Sequence, residues 1–316
     1  MTFQLSEFKS LHRLSLPKLA LLLLLPLILT THSRAQGQEN NPYLWRVEKP
    51  GFNPSFLFGT IHSAHPELNT LPDVVTHSFE QSDAFYGELE MTPEVLLQAT
   101  QLFISSDNSS LQNTLSQHRQ QRINRILDNI HPGLSLSVFS KLKLWAFTAT
   151  LALLEDQIAH GSLVPMDMRL FQIASFKGKQ VGGLETIEEQ SGVFESFSQQ
   201  ENLLLLDSTL DYMEKAQEQG TSVMEETYQA YRSGNPDNFS TLMESQLSLS
   251  PALANKLNQR LLVDRNLRMA ERISKLLQQQ PQNSYFFAVG AAHYSGASGI
   301  QKLLQKKGYQ VTRVNR

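Results

Sequence analysis

Ser55-Phe56-Leu57-Phe58-Gly59-Thr60-Ile61-His62 has a counterpart near the other end of the chain, Tyr285-Phe286-Phe287-Ala288-Val289-Gly290-Ala291-Ala292-His293. Each is a short apolar run that ends in glycine, with a histidine three positions later. A run of that length, bounded by glycine, reads as a buried strand. Glycine at a strand end lets the backbone turn tightly or approach a ligand, and in α/β folds ligands bind in the loops beyond strand ends. Either Gly-x-x-His alone is as readily a histidine packed and hydrogen-bonded at a strand end. Two copies at opposite ends predict a sheet uniting both termini, with His62 and His293 face to face.

The flanking sequence fits that expectation. Residues 43–47 and 56–61 are joined by Lys49-Pro50-Gly51-Phe52-Asn53-Pro54, a turn-rich link that predicts a hairpin. Residues 84–91 read as another strand, running into Gly87-Glu88-Leu89-Glu90. Strands at 285–289 and 309–314 bracket a helix over 298–307 with Gly308 as its C-cap. Between the ends the signals are mostly helical. Leu203, Leu206, Leu210 and Met213 share one helical face, and Leu262, Met269, Ile273 and Leu276 do the same over 261–278. A helix over 167–176 precedes a short strand at 181–184. No linker interrupts the chain after Asn41. The expected fold is α/β (mixed α+β): a central sheet formed from both chain ends, flanked by helices, with a largely helical middle. Residues 36–316 are expected to form a single domain.

Residues 1–35 read as a signal peptide. Lys9, Arg13 and Lys18 give a basic start, residues 19–30 an apolar run, and Ser33-Arg34-Ala35 a small-x-small cleavage site. The run is shorter than the roughly 20 residues a bilayer span needs, so the expectation is export, to the periplasm or outside, with no stable membrane span after cleavage. This segment holds four of the 27 Lys and Arg and one of the 30 Asp and Glu, leaving 23 basic and 29 acidic residues. That balance gives no support to nucleic-acid or anionic-membrane binding. The chain has no cysteine, which excludes disulfides, thiolate catalysis and Cys-type metal ligation. Asn108 and Asn238 stand in Asn-x-Ser sequons, which matter only in a eukaryotic secretory pathway. Oligomeric state is not legible.

Two imidazoles need a carboxylate to complete a facial metal site. Glu88 and Glu90 supply one, since in a strand they point to the same face. Paired acids there repel unless a cation or a shared proton separates them; the plainer reading is a solvent-facing strand edge. Glu185 and Thr186 follow a short apolar strand. Glu185 is either an acid or base near the same site, or part of a helix start at which Thr186 and Glu189 form a capping box. Asn266 falls on the stripe of Leu262 and Met269 and requires interior hydrogen-bond partners. Arg265 beside it either holds an anionic intermediate or pairs with a buried acid. His65 is a reserve ligand or a solvent-facing loop residue.

These residues resemble a known family. Phe58-Gly59-Thr60-Ile61-His62, then Leu71-Pro72, then Ser82-Asp83-Ala84-Phe85-Tyr86-Gly87-Glu88-Leu89-Glu90 looks like the opening of the TraB/GumN/PrgY family, to which the animal Tiki proteases are related. The likeness continues through Met166-Asp167 and Leu170, through residues 178–186 and Glu188-Glu189-Gln190, and through residues 264–273. It closes at Val289-Gly290-Ala291-Ala292-His293 and Gly308-Tyr309-Gln310-Val311, covering nearly all of the chain after the signal, in order. In the Tiki branch the resemblance implies a metal-dependent protease whose site uses both Gly-x-x-His histidines and an acid. The matching positions here are His62, His293 and Glu88. The family position two residues after that acid is often Asp, and here it is Glu90.

Three functions remain open on sequence. The first is an exported metal-dependent hydrolase, acting on peptides, with His62, Glu88 and His293 around Mn, Co or Zn, Glu90 or Glu185 taking a proton and Arg265 steadying an oxyanion. No His-Glu-x-x-His helix is present, so zincin machinery is absent. The second is a metal-free hydrolase resembling the erythromycin-esterase relatives of this fold, with a histidine base. The third is a non-catalytic binder of peptide, metal or haem. The expected partner is a peptide or small-molecule substrate.

Overall fold

The computed structural model describes residues 41–315, apart from 107–109 and 247. Residues 1–35, expected from the sequence to be a signal peptide, and Asn108 lie outside the described residues. Strands β1 (Leu44–Glu48) and β2 (Ser55–Thr60) form the expected hairpin, with Leu44 opposite Phe58 and Val47 opposite Ser55. Its turn uses Gly51 at φ +83°, a left-handed conformation that suits glycine. The sheet adds β3 (Ala84–Gly87), β4 (Gln180–Gly183), β5 (Tyr285–Gly290) and β6 (Gln310–Arg313).

The strand order is β4-β3-β5-β2-β1-β6, so the late strand β5 is inserted between the early strands β2 and β3. The pairs β2–β5, β3–β5 and β3–β4 are parallel; β1 is antiparallel to β2 and to β6. This is a mixed sheet formed from both chain ends, as expected. Every residue of β2 is buried, and every residue of β5 except Gly290. Parallel strands covered on both faces need such unbroken apolar runs. Gly59 is required here for contact: a Cβ at that position would stand 2.7 Å from the Cβ of Tyr43. Tyr43 stacks on Tyr231, whose hydroxyl donates to the Gly59 carbonyl at 2.8 Å.

The helices are α1 (Asp73–Glu80), α2 (Pro93–Phe103), α3 (Gln117–Ile130), α4 (Leu144–Ala159) and α5 (Met166–Phe176), then α6 (Ile187–Glu195), α7 (Gln199–Glu218), α8 (Val223–Arg232) and α9 (Pro236–Ser245), and last α10 (Pro251–Asn258), α11 (Asp264–Gln279) and α12 (Ile300–Lys306). A main core surrounds the sheet, with Phe58, Phe79, Phe85 and Phe286 in ring contact. A second core joins α3, α4 and α7 through Ile123, Leu127, Phe147, Leu151, Leu206 and Leu210. Among the described residues, no helix is long and apolar enough to cross a membrane.

Two differences from the sequence reading bear on the site. The strand expected over 84–91 stops at Gly87, so Glu88 and Glu90 do not share a strand face. Backbone crowding accompanies that stop: a Cβ on Gly183 would meet the Glu90 nitrogen at 2.7 Å. The helix expected over 261–278 belongs to a longer run, α10 passing through a π-helical turn at Gln259–Val263 into α11. A π turn adds a residue and re-phases the helix. Leu262 is only half-buried, whereas the adjacent pair Arg265 and Asn266 both face inward.

Candidate active site

Parallel pairing sets Thr60 opposite Gly290, so both Gly-x-x-His loops leave the sheet from one edge. On the other flank of β5, β3 ends at Gly87 and delivers Glu88 beside Gly290. The Gly290 N–H donates to Glu88 Oε1 at 2.7 Å, and a Cβ on Gly290 would stand 3.0 Å from that oxygen. Glycine therefore sets how closely the carboxylate approaches the second histidine loop.

His293 lies in a one-turn 3-10 helix, Ala291–Tyr294, and is buried. Its Nδ1 is 2.5 Å from Asn266 Oδ1, and Asn266 Nδ2 donates to the Ser298 carbonyl at 2.9 Å. That second bond orients the amide, and an amide oxygen only accepts. The proton is thereby assigned to Nδ1 and the lone pair to Nε2. Burial pushes the His293 pKa down to about 3, so the ring is neutral. Its Nε2 stands 3.7 Å from Glu88 Oε1, and two acceptors thus face each other across that gap.

The other oxygen of Glu88 accepts from Arg265 Nη2 at 2.6 Å and from Gln190 Nε2 at 3.3 Å. Arg265 also donates through Nε to Glu185 Oε2 at 2.8 Å, and Arg268 reaches Glu185 Oε1 at 3.0 Å. Burial by itself would raise the Glu88 pKa. The Arg265 charge, foremost, with His62 and the Gly290 N–H outweighs it and holds the carboxyl well below the usual range. Glu185 has no exposed side-chain surface, and arginines take both of its oxygens. It sits behind Arg265 as a support.

His62 has a different setting. Half of its side-chain surface is open, and its Nδ1 is 2.9 Å from Asp167 Oδ2. The Asp167 charge is the main cause that raises its pKa, to about 9, against the opposing effect of burial. The loop after His62 is clamped by buried Asp156, which accepts from Ser63 Oγ at 2.9 Å and from the Ala64 N–H at 3.0 Å. The Met166 N–H donates to the Ser63 carbonyl at 3.1 Å, which ties the loop to the start of α5 beside Asp167.

His62, Glu88, Arg265 and His293 all border one cavity of about 410 Å³. Glu90 lies outside it and is half-buried. His65 is likewise elsewhere: it stacks on Tyr228 with ring centroids 3.9 Å apart and caps the turn Pro66–Asn69. Thr186 and Glu189 form the capping box of α6, and Glu189 is held by Arg272. The sequence alone assigns no role at the site to Asp167, Asp156 or Gln190. Asp167 and Asp156 sit on helices far along the chain, and only the family motif Met166-Asp167 marked one of them.

Among the described residues, no three His, Cys, Asp or Glu side chains form a ready-made metal cluster. The donor chemistry nonetheless fits a divalent cation. Each imidazole is anchored through Nδ1 to an oxygen acceptor, the arrangement that orients a metal-binding histidine. The lone pair of His293 faces a carboxylate oxygen with no donor between them, and Asp167 Oδ1 is buried without a partner.

The chain belongs to the TraB/PrgY/gumN family, whose sequence profile matches residues 43–313. It is 27% identical to the metalloprotease TIKI2 of Danio rerio, over 87% of this chain and 61% of that protein. It is 26% identical to the metalloprotease TIKI1 of Xenopus tropicalis, over 88% and 62%, and 24% identical to that of Homo sapiens, over 88% and 63%. The chain thus spans about three fifths of the length of these relatives. No solved structure matches it.

Proposed function

We propose that this chain is an exported, metal-dependent hydrolase of peptide bonds, working as a single domain over residues 36–316. The observation that carries the reading is the convergence of His62, Glu88 and His293 on one cavity, with each ring anchored through Nδ1. The names of the relatives support the reaction class, and the basic, then apolar N-terminal segment supports export.

His62 and His293 through Nε2, and Glu88 through Oε1, would hold the cation; manganese, cobalt and zinc all suit a nitrogen–oxygen donor set. When bound, such a cation polarises a carbonyl and lowers the pKa of a water molecule. Asn266 fixes the rotation of His293, and Asp167 that of His62. Arg265 keeps Glu88 ionised in a buried place and brings positive charge to the cavity wall. With Glu185 occupied by arginines, Asp167 is the carboxylate beside His62, with Oδ2 on His62 Nδ1 and Oδ1 without a partner among the described residues.

The test is cleavage of a mixed set of internally quenched peptides before and after chelation, with manganese, cobalt or zinc restored. Turnover should vanish on chelation, return with a cation, and fall at least ~100-fold in His62→Ala and His293→Ala. The His62–Asp167 pair, at 2.9 Å, favours one second reading: a metal-free hydrolase in which this dyad handles the proton. Turnover unaffected by chelation would select it. Absence of turnover with every cation would end the hydrolase reading.

A further inference from the structure

Three cavities meet at His62. The first, about 410 Å³, runs from the His62, Glu88 and His293 cluster past Ala152 toward Met224, Phe239 and Leu262. The other two, about 300 and 290 Å³, share His62 and Asp167 and extend past Met91 and Phe103, one reaching Trp145 and the other Leu142 and Met168. Among the described residues, every charged residue lining the three belongs to the cluster or is Asp167. The remaining walls are mainly aliphatic and aromatic, with a few neutral polar side chains. Helix α4 forms the ridge between the two directions. Leu153 borders all three cavities, Ala152 only the first, and Ala149, one turn away on the same helix, only the second.

We propose that this cleft takes an extended peptide with a large apolar residue on each side of the bond presented to the cluster; the inference rests on the hydrolase reading and deepens it. The cluster lies between the arms, so one ligand filling both must pass it. Each arm has the volume of a small ligand site. Apolar walls reward the burial of aliphatic and aromatic side chains, and they desolvate a charged one without giving it a partner. A long acyl chain would need only one continuous tunnel, whereas here two arms diverge from the chemistry.

The experiment has a catalytic and a binding half. Internally quenched peptides carrying Phe or Leu on both sides of a central bond are compared with peptides in which one side, then the other, is Ser or Asp. Binding of fluorescein-labelled versions to the chelator-treated protein is followed by anisotropy. Each replacement should cost roughly 10- to 100-fold in affinity, and in kcat/KM where turnover occurs. Ala152→Phe should erase the preference on one side only, and Ala149→Phe the preference on the other. Both alanines have solvent-accessible surface, and Ala152→Leu and Ala149→Leu give graded versions, with circular dichroism checking the fold.

Apolar peptides that bind in this pattern without being cleaved would uphold the cleft assignment while the hydrolase reading fails. Cleavage indifferent to the flanking residues would overturn the assignment while hydrolysis stands. Discrimination unchanged in both folded Phe variants would also overturn it. So would a fatty-acyl p-nitrophenyl ester that binds more tightly than any peptide.

Discussion

The two Gly-x-x-His loops share a sequence pattern and a sheet edge, yet they build opposite surroundings for their histidines. His293 is buried, held by an amide that fixes its tautomer, and kept neutral with its pKa pushed down to about 3. His62 is half open, paired with a carboxylate, and raised to about 9. The difference arises from what each loop meets across the fold. The second loop meets α11, on which Asn266 faces inward; the first meets α5, which has Asp167 in its first turn. Glu88 turns one oxygen toward His293 and the other toward Arg265. One site thus has a buried side, at His293, and an open side, at His62.

The largest expected break comes at the hinge of that asymmetry. Arg265→Ala leaves Glu88 and Glu185 buried, with only half-buried Arg268 still reaching Glu185. Removing one partner of a buried ion pair costs about 3–5 kcal/mol, and urea unfolding should report a loss of that size. Next is the contrast between the rings. His293→Ala opens a void and strands Asn266 Oδ1, at about 2–4 kcal/mol, whereas His62→Ala should cost less, because its side chain is half open and solvent screens its pairing with Asp167. Equal losses in the two variants would refute the asymmetry.

A smaller effect should follow from loosening one loop alone. Asp156→Asn weakens the clamp on Ser63 and Ala64 by about 1 kcal/mol. It should speed amide exchange at 62–65 and leave 290–294 unchanged. The same contrast predicts a pair of opposite pH slopes in the metal-free protein. His62 titrates at 6.5 unfolded and near 9 folded, so its contribution to stability is complete below 6.5 and lost as pH rises through 9. His293 goes from 6.5 to about 3, so stability falls as pH drops from 6.5 toward 3. Asp167→Asn should flatten the alkaline slope only, and His293→Ala the acid one only, in unfolding measured across pH.

Much of this was legible in the sequence. The apolar runs before Gly59 and Gly290 read as buried strands, and their likeness predicted a shared edge; the parallel register of β2 with β5 makes that literal. Asn266 was legible because it lay on an apolar stripe. The carboxylates were harder. Glu88 and Glu90 looked equivalent under a period of two, but the strand stops at Gly87, and only Glu88 turns into the cavity. Glu185 read as a base or as part of a cap; its partners, Arg265 and Arg268, come from α11, which no local pattern could connect to it. Asp167 and Asp156 carry no periodic signal at all. Their roles come from how α4 and α5 pack against the first loop, a tertiary fact.

The most direct test of the shared two-histidine site is its metal content. The purified chain, His62→Ala and His293→Ala are each incubated with manganese, cobalt and zinc, desalted, and measured by inductively coupled plasma mass spectrometry, with circular dichroism confirming the fold. Roughly one ion per parent chain, lost in both folded variants, is the predicted result. Metal absent from the folded parent, or equally retained by the two variants, would contradict it.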